Sequence, residues 1–306
     1  MKGLMALDVV TRAKLACIYS GIAWGLFWIP LRILHAEGIQ GAWATFVFYA
    51  FPALLFIPWL IYRWRIVVKC GLSIHLIGIS AGIALVLYAN AMLYTEVVRG
   101  MLLYYLTPVW SLILARLMLG EAITRARVAA IFLGLCGMLV ILGADLGIPM
   151  PRNSGDWMGL MGGLVWALTA VLLRKDDGKH ALELTAVYFF WGALLAALFA
   201  FTPFAGQLEI PDFSSLLTVL PWFVLVALLL VFPAALTAFW GAPFLNPGVV
   251  GLLFMTELSV GAITAALWAG EPFGWRELIG VILITLAGLT EFIESVFLRL
   301  TRAIWR

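Results

Sequence analysis

Glu257 is the residue whose type and position point most directly to chemistry. It lies near the middle of an apolar stretch, 247–269, where an ionised side chain costs at least about 2.5 kcal/mol in a bilayer. Gly261, Thr264 and Trp268 follow at i+4, i+7 and i+11, so a carboxyl, a small residue, a hydroxyl and an indole share one helical face. A carboxyl group placed there can hold an ammonium group or carry a proton. The alternative is a protonated acid hydrogen-bonded to a neighbouring helix. Asn90 is the uncharged counterpart, deep in 73–95 and in line with Gly82, Val86 and Tyr94. Its amide donates and accepts, which suits an α-carboxylate or an α-amino group, and equally an interhelical hydrogen bond of about 1 kcal/mol.

Aromatic and hydroxyl side chains recur at helical spacing. Ser20, Trp24, Trp28 and Arg32 share a face of 13–34, Tyr104, Thr107 and Ser111 form a stripe in 98–118, Trp166 and Thr169 lie in 157–174, and Trp240 closes 217–240. As a set they could wall a pocket for a planar apolar group, with a few polar atoms fixing its orientation; singly, each serves equally well in packing. Pro233 removes a donor in mid-stretch and frees the carbonyl near Leu229, which predicts a kink or hinge with backbone oxygen available to a cavity. The pairs Gly21/Gly25, Gly78/Gly82 and Gly159/Gly163 have the spacing of close helix contacts. His35, His75 and His180 fall near helix ends without acid–base or metal-ligand spacing, Cys17, Cys70 and Cys136 are lone thiols, and no Walker A motif occurs. No catalytic residue, metal or cofactor is expected, and no ring of charges suggests a selectivity filter.

The elements that must position these residues follow from hydropathy. Of the 306 residues 64% are hydrophobic and 11% charged, and the mean hydropathy is +1.08, far outside the range of water-soluble domains. The formal charge of +3, scattered among apolar runs, does not suit nucleic acid. Spans are expected at 13–34, 42–62, 73–95, 98–118, 127–144, 157–174, 184–203, 217–240, 247–269 and 277–298, each near the roughly 20 residues that cross a bilayer as a helix. The runs lack the alternation of barrel strands. With the N-terminus inside, 15 of the 19 lysines and arginines face the cytoplasm, which predicts both termini there. The first stretch is too long for a signal-peptide core and is expected to stay as a helix.

The chain also repeats itself. Gly21–Ile22–Ala23–Trp24 followed by Arg32 recurs as Gly163–Leu164–Val165–Trp166 followed by Arg174, at one offset of 142 residues. Leu119–Gly120–Glu121 recurs as Ala269–Gly270–Glu271, at the end of the fourth stretch of each half; both glutamates read as helix-end structural acids. Five helices per unit, an odd number, would place the second unit upside down relative to the first. The expected fold is therefore an all-α integral membrane protein of ten transmembrane helices, with inverted repeats over 1–148 and 149–306 around a central cavity.

These features together resemble the EamA-type branch of the drug/metabolite transporter superfamily over the whole chain. The run Ala23–Trp24–Gly25–Leu26–Phe27–Trp28 and the stretch Tyr104–Tyr105–Leu106–Thr107–Pro108–Val109–Trp110 look like its bacterial aromatic amino-acid exporters. The resemblance implies alternating access in the bacterial inner membrane, an amino-acid substrate, and a cavity lined by helices 1, 3, 4, 6, 8 and 9. One departure stands out: Thr107–Pro108 is matched by Glu257–Leu258, each 14 residues before the helix-end glutamate. The two half-sites are chemically unequal.

Overall fold

The computed structural model of the chain describes residues 8–95, 97–142, 151–176, 180–205, 209–268 and 273–304. Among them the regular elements are all helical: α1 (Val9–Trp24), α2 (Trp28–Ala36), α3 (Ala42–Lys69), α4 (Gly71–Tyr94), α5 (Val97–Tyr104), α6 (Thr107–Leu119), α7 (Arg125–Leu142), α8 (Ser154–Lys175), α9 (Ala181–Ala200), α10 (Phe213–Val226), α11 (Phe232–Gly241), α12 (Pro247–Phe254), α13 (Thr256–Trp268) and α14 (Trp275–Ile304). A π turn over Ala227–Val231 joins α10 to α11.

Seven segments of the described chain are long and apolar enough to cross a bilayer: Val9–Ala36, Ala42–Lys69, Gly71–Ala91, Ser154–Lys175, Ala181–Ala200, Phe213–Phe244 and Pro247–Trp268. The remaining expected stretches are helical as α5 with α6, α7 and α14, and at 13 residues α6 is too short to cross alone. Side chains such as Ile61, Leu117, Phe132, Leu198 and Leu229 are mostly exposed, an outer surface that suits lipid better than water.

Proline and hydroxyl chemistry sets the breaks. Pro30 has no N–H for the Leu26 carbonyl; Ile29 takes it at 3.1 Å, and the chain between α1 and α2 tightens into i to i+3 bonds, Leu26 to Ala23 and Phe27 to Trp24. Pro108 likewise leaves the Tyr104 carbonyl without its helical donor, and the Thr107 hydroxyl donates to it at 2.5 Å. Between α12 and α13 there is no proline, and the Thr256 hydroxyl donates to Leu253 O at 2.8 Å. The break after α5 falls at Tyr105–Leu106 and that after α12 at Met255. At Pro233 the π turn takes up the missing hydrogen bond and the helix continues into α11. Gly120 ends α6 in the left-handed region at φ +69°, with the Glu121 N–H returning to Ala115 O at 3.3 Å.

The helices pack in a reciprocal set of pairs. α4 lies against α8 and α1 against α11; α3 meets α9, α6 meets α12, and α7 meets α14. Small residues let these backbones approach. A Cβ at Gly159 would stand 2.7 Å from Gly100 O, and one at Gly163 would strike Tyr104 O, so α8 rests directly on α5. Where α7 crosses α14, a Cβ at Gly137 would sit 2.8 Å from Gly280 O and one at Gly280 would sit 2.7 Å from Gly137 O. The interior is a chain of edge-to-face rings: Phe27 on Phe48 at 5.1 Å, Phe48 on Phe223 at 5.9 Å, Tyr49 on Tyr188 at 5.6 Å, and Tyr188 on Phe239 at 5.1 Å.

Candidate functional site

A cavity with about 560 Å³ of empty space, its open mouth included, lies where the broken helices meet. Trp24 and Phe27 come from the first break, Tyr104, Tyr105 and Thr107 from the second, and Gly251, Phe254 and Glu257 from the third. Tyr49 of α3, Leu85 and Tyr88 of α4 and Trp166 of α8 complete the wall. Breaks suit this position because kinked backbone is tolerated at membrane depth only inside protein or beside a cavity.

Glu257 accepts a hydrogen bond from the Tyr88 hydroxyl at 3.1 Å, and Tyr105 approaches the same carboxyl group. The Tyr88 ring stacks on Tyr104 with centroids 3.9 Å apart and planes at 23°. Tyr105 stands edge-on to Tyr88 and Tyr104, at 6.3 and 5.4 Å. Opposite rings pair as Trp24 with Phe27 at 5.9 Å and Trp166 with Phe254 at 5.8 Å. The Trp166 indole N–H is buried and meets no hydrogen-bond partner among the described residues, whereas the Tyr105 hydroxyl faces the Glu257 carboxyl group. Among the described residues the arrangement is an aromatic box with one lining carboxyl group and one indole N–H left without a partner.

Of the residues singled out in the sequence, Trp24, Tyr104, Thr107, Trp166 and Glu257 line this cavity. The others are placed elsewhere. Trp28 donates from Nε1 to the Thr264 hydroxyl at 3.1 Å, tying α2 to α13. Asn90 is fully buried and donates to Val86 O at 2.8 Å, leaving Oδ1 without a described partner. Tyr94 sets its edge on Phe199 at 6.4 Å, Ser111 is buried in α6, and Thr169 donates to Ser80 Oγ at 2.9 Å. Trp240 lies under the Arg12 guanidinium at 5.9 Å. The Pro233 segment supplies no lining residue, and Tyr49 of α3 supplies one. Tyr49, Tyr88 and Tyr105 were not read from the sequence; a phenol hydroxyl within an otherwise apolar helix was the available signal.

Polar clusters mark the two ends of the bundle. Arg174 pairs with Glu121 at 3.0 Å and donates to Pro243 O at 2.9 Å, and Asn246 donates to the same glutamate. At the other end Thr95 donates to Asp156 at 2.6 Å and accepts from Asn153 at 3.1 Å. Glu271, the expected counterpart of Glu121, lies outside the described residues. No group of three or more histidine, cysteine, aspartate or glutamate side chains among the described residues is spaced to hold a metal, and the three cysteines form no disulfide.

The sequence model of the EamA-like transporter family matches residues 11–143 and again residues 153–290. The chain belongs to the EamA-like transporter family. Its members lie in the drug/metabolite transporter superfamily, so the chain is a multi-pass membrane transporter by family. A probable amino-acid metabolite efflux pump of Salmonella typhimurium is 26% identical over 288 residues, 88% of this chain and 90% of that one. An uncharacterized transporter of Acidianus ambivalens is 31% identical over 123 residues, 40% of this chain; the chain spans 48% of that relative's length. The uncharacterized transporter YyaM of Bacillus subtilis is 27% identical over 208 residues, 64% of this chain and 65% of its own. A solved protein structure, 19% identical, shares the fold over 94% of this chain and 99% of its own, with a TM-score of 0.69.

Proposed function

We propose that the chain is a secondary transporter that exports small amine-bearing metabolites with aromatic or apolar bodies, the class that includes the aromatic and other neutral amino acids. The observation that carries this reading is the aromatic box around Glu257, the one carboxyl group among the described lining residues, assembled from helix breaks. A ring lies flat against such walls while the carboxyl group takes the amino group. Proton coupling fits the same residue, because a carboxyl group can exchange its proton against a cationic cargo. The Salmonella relative's name as an amino-acid metabolite efflux pump supports the substrate class.

The architecture proposed is ten transmembrane helices in two inverted five-helix units, 1–148 and 149–306, rocking by alternating access. Several observations support it. The family model matches twice, once per unit. The breaks at Tyr105 and Met255 are 150 residues apart, the offset that also pairs Thr107 with Glu257. The pairing of α4 with α8 and of α1 with α11 exchanges under that symmetry, and so do two contacts between α7 and α14, Gly134 with Ala287 and Gly137 with Ile284. Cytoplasmic termini in a bacterial inner membrane are supported by the cation asymmetry. The clusters at the bundle ends support the threading instead, since ten spans put Glu121, Arg174 and Asn246 on one side and Thr95, Asn153 and Asp156 on the other.

Proteoliposomes loaded with a panel of labelled amino acids and aromatic amines test the proposal, with and without a pH gradient. Saturable flux of Phe, Trp or an aromatic amine is expected. Folded protein that moves no member of the panel would refute the substrate class.

A further inference from the structure

The charge inventory of the cavity narrows its cargo. Among the described lining residues Glu257 is the one carboxyl group, and there is no lysine, arginine or histidine. An α-amino acid brings an ammonium and a carboxylate together. The ammonium finds Glu257 among the rings of Tyr88, Tyr104, Trp24 and Trp166, electron-rich surroundings of the kind that attract organic cations. The carboxylate finds a second carboxyl group nearby and no cation.

Two other places could have held that carboxylate, and groups in both are already engaged. In the first turns of α6 and α13, Val109 and Trp110 N–H turn back on Leu106 O at 3.0 and 3.2 Å, and Leu258 N–H on Met255 O at 3.0 Å. Asn90 commits one of its two amide hydrogens to Val86 O and does not line the cavity. What remains uncommitted is neutral: the Trp166 indole N–H. It can serve an amide, ester or hydroxyl oxygen without a full charge to balance.

We propose that the cavity selects organic ammonium ions with an aromatic or apolar body and an absent or masked carboxylate, in preference to the parent zwitterionic amino acids. The inference rests on the reading of this cavity as the transport site. It names a subclass of cargo: aromatic monoamines and amino-acid amides or esters.

Isothermal titration of the purified full-length chain in lipid nanodiscs tests it with phenethylamine, phenylalanine amide, phenylalanine methyl ester, phenylalanine and 3-phenylpropionate. The amine, amide and ester should bind at least about tenfold more tightly than phenylalanine, and 3-phenylpropionate should show no binding. Glu257→Gln should weaken the amine by at least about tenfold. Should that variant fail to fold, Tyr88→Phe serves instead: it keeps the ring, frees the carboxyl group from its internal donor and should tighten amine binding. Phenylalanine binding as tightly as its amide would overturn the inference and leave the amino-acid transport reading standing. No binding by any of the five, with folding verified, would remove both.

Discussion

Replacing glycines one at a time by alanine separates helices that touch through their backbones from helices that merely pass. Gly159 and Gly163 lie one turn apart on α8, facing Gly100 and Tyr104 of α5. A methyl group at Gly159 would start 2.7 Å from Gly100 O and 3.3 Å from its Cα, so the helices must part by roughly half an ångström to restore ordinary contact. Neither opposing atom is a side chain that can rotate away. Overpacking of this kind costs about 1–3 kcal/mol, against about 1 kcal/mol gained from alanine's helix propensity. At Gly163 the intruding group meets both Tyr104 O and the Thr107 hydroxyl, at 3.0 Å from the latter, and it disturbs the Thr107–Gly163 hydrogen bond of 3.2 Å. Gly288 supplies the control, because nothing lies within 4 Å of a Cβ built there. Reversible unfolding in mixed detergent–SDS micelles should place Gly288→Ala at or above the parent chain. Gly159→Ala should lie about 1–3 kcal/mol below that control and Gly163→Ala lower still. Equal stability of Gly163→Ala and Gly288→Ala would refute the direct backbone crossing of α5 and α8.

Three further substitutions probe the site and its supports. Glu257→Gln should cut flux of every transported amine by at least about tenfold in proteoliposomes while leaving the unfolding midpoint close to the parent's; full flux would take Glu257 out of the transport site. Thr107→Val removes the hydroxyl that serves the carbonyl stranded by Pro108 and should cost about 1–2 kcal/mol in the same unfolding assay, with Thr107→Ser recovering most of it. Arg63→Ala leaves the nearly buried Glu183 without a guanidinium at 3.0 Å. Because the arginine is partly exposed, water moderates the loss to about 1–3 kcal/mol, and Glu183→Gln should be milder.

The sequence disclosed the helices, the internal offset and the one acid in the wall, for reasons that are physical. Lipid forces long apolar runs, and a carboxyl group within such a run stands out against everything around it. Trp24 and Trp166 came from the internal offset, and Thr107 and Tyr104 from their helical stripe. Periodicity groups residues by face but leaves open which way a face turns. Polarity drew attention to the Gly82–Val86–Asn90–Tyr94 line of α4. In the folded chain a Cβ at Gly82 would lie 3.2 Å from the Gly192 N of α9, so that line is turned toward a neighbouring helix and the Leu85–Tyr88 edge comes to the cavity. Tyr49, Tyr88 and Tyr105 escaped notice because a chain with 14 tryptophans, 8 tyrosines and 20 phenylalanines offers too many rings for composition to choose among. The proline read as a kink, Pro233, lies where a π turn carries the helix on, while the breaks beside Pro30 and Pro108 were not read, and that at Met255 has no proline to mark it, a threonine hydroxyl donating to Leu253 O instead.

The hydrogen bond from Tyr88 to Glu257 bears on how tightly a cargo can be held. An empty carboxyl group in an apolar wall would seize any cation that reached it and release it slowly. Here an internal donor occupies the acid first, so under the function proposed an arriving ammonium would compete with a phenol already in place. A hydrogen bond to a charged group is worth about 1.5–3 kcal/mol, which corresponds to roughly ten- to hundredfold in affinity. The same phenol would recapture the carboxyl group as the cargo leaves. Weak holding would thereby be built into the resting site, and for a carrier of such cargo it is the unloading step that would gain.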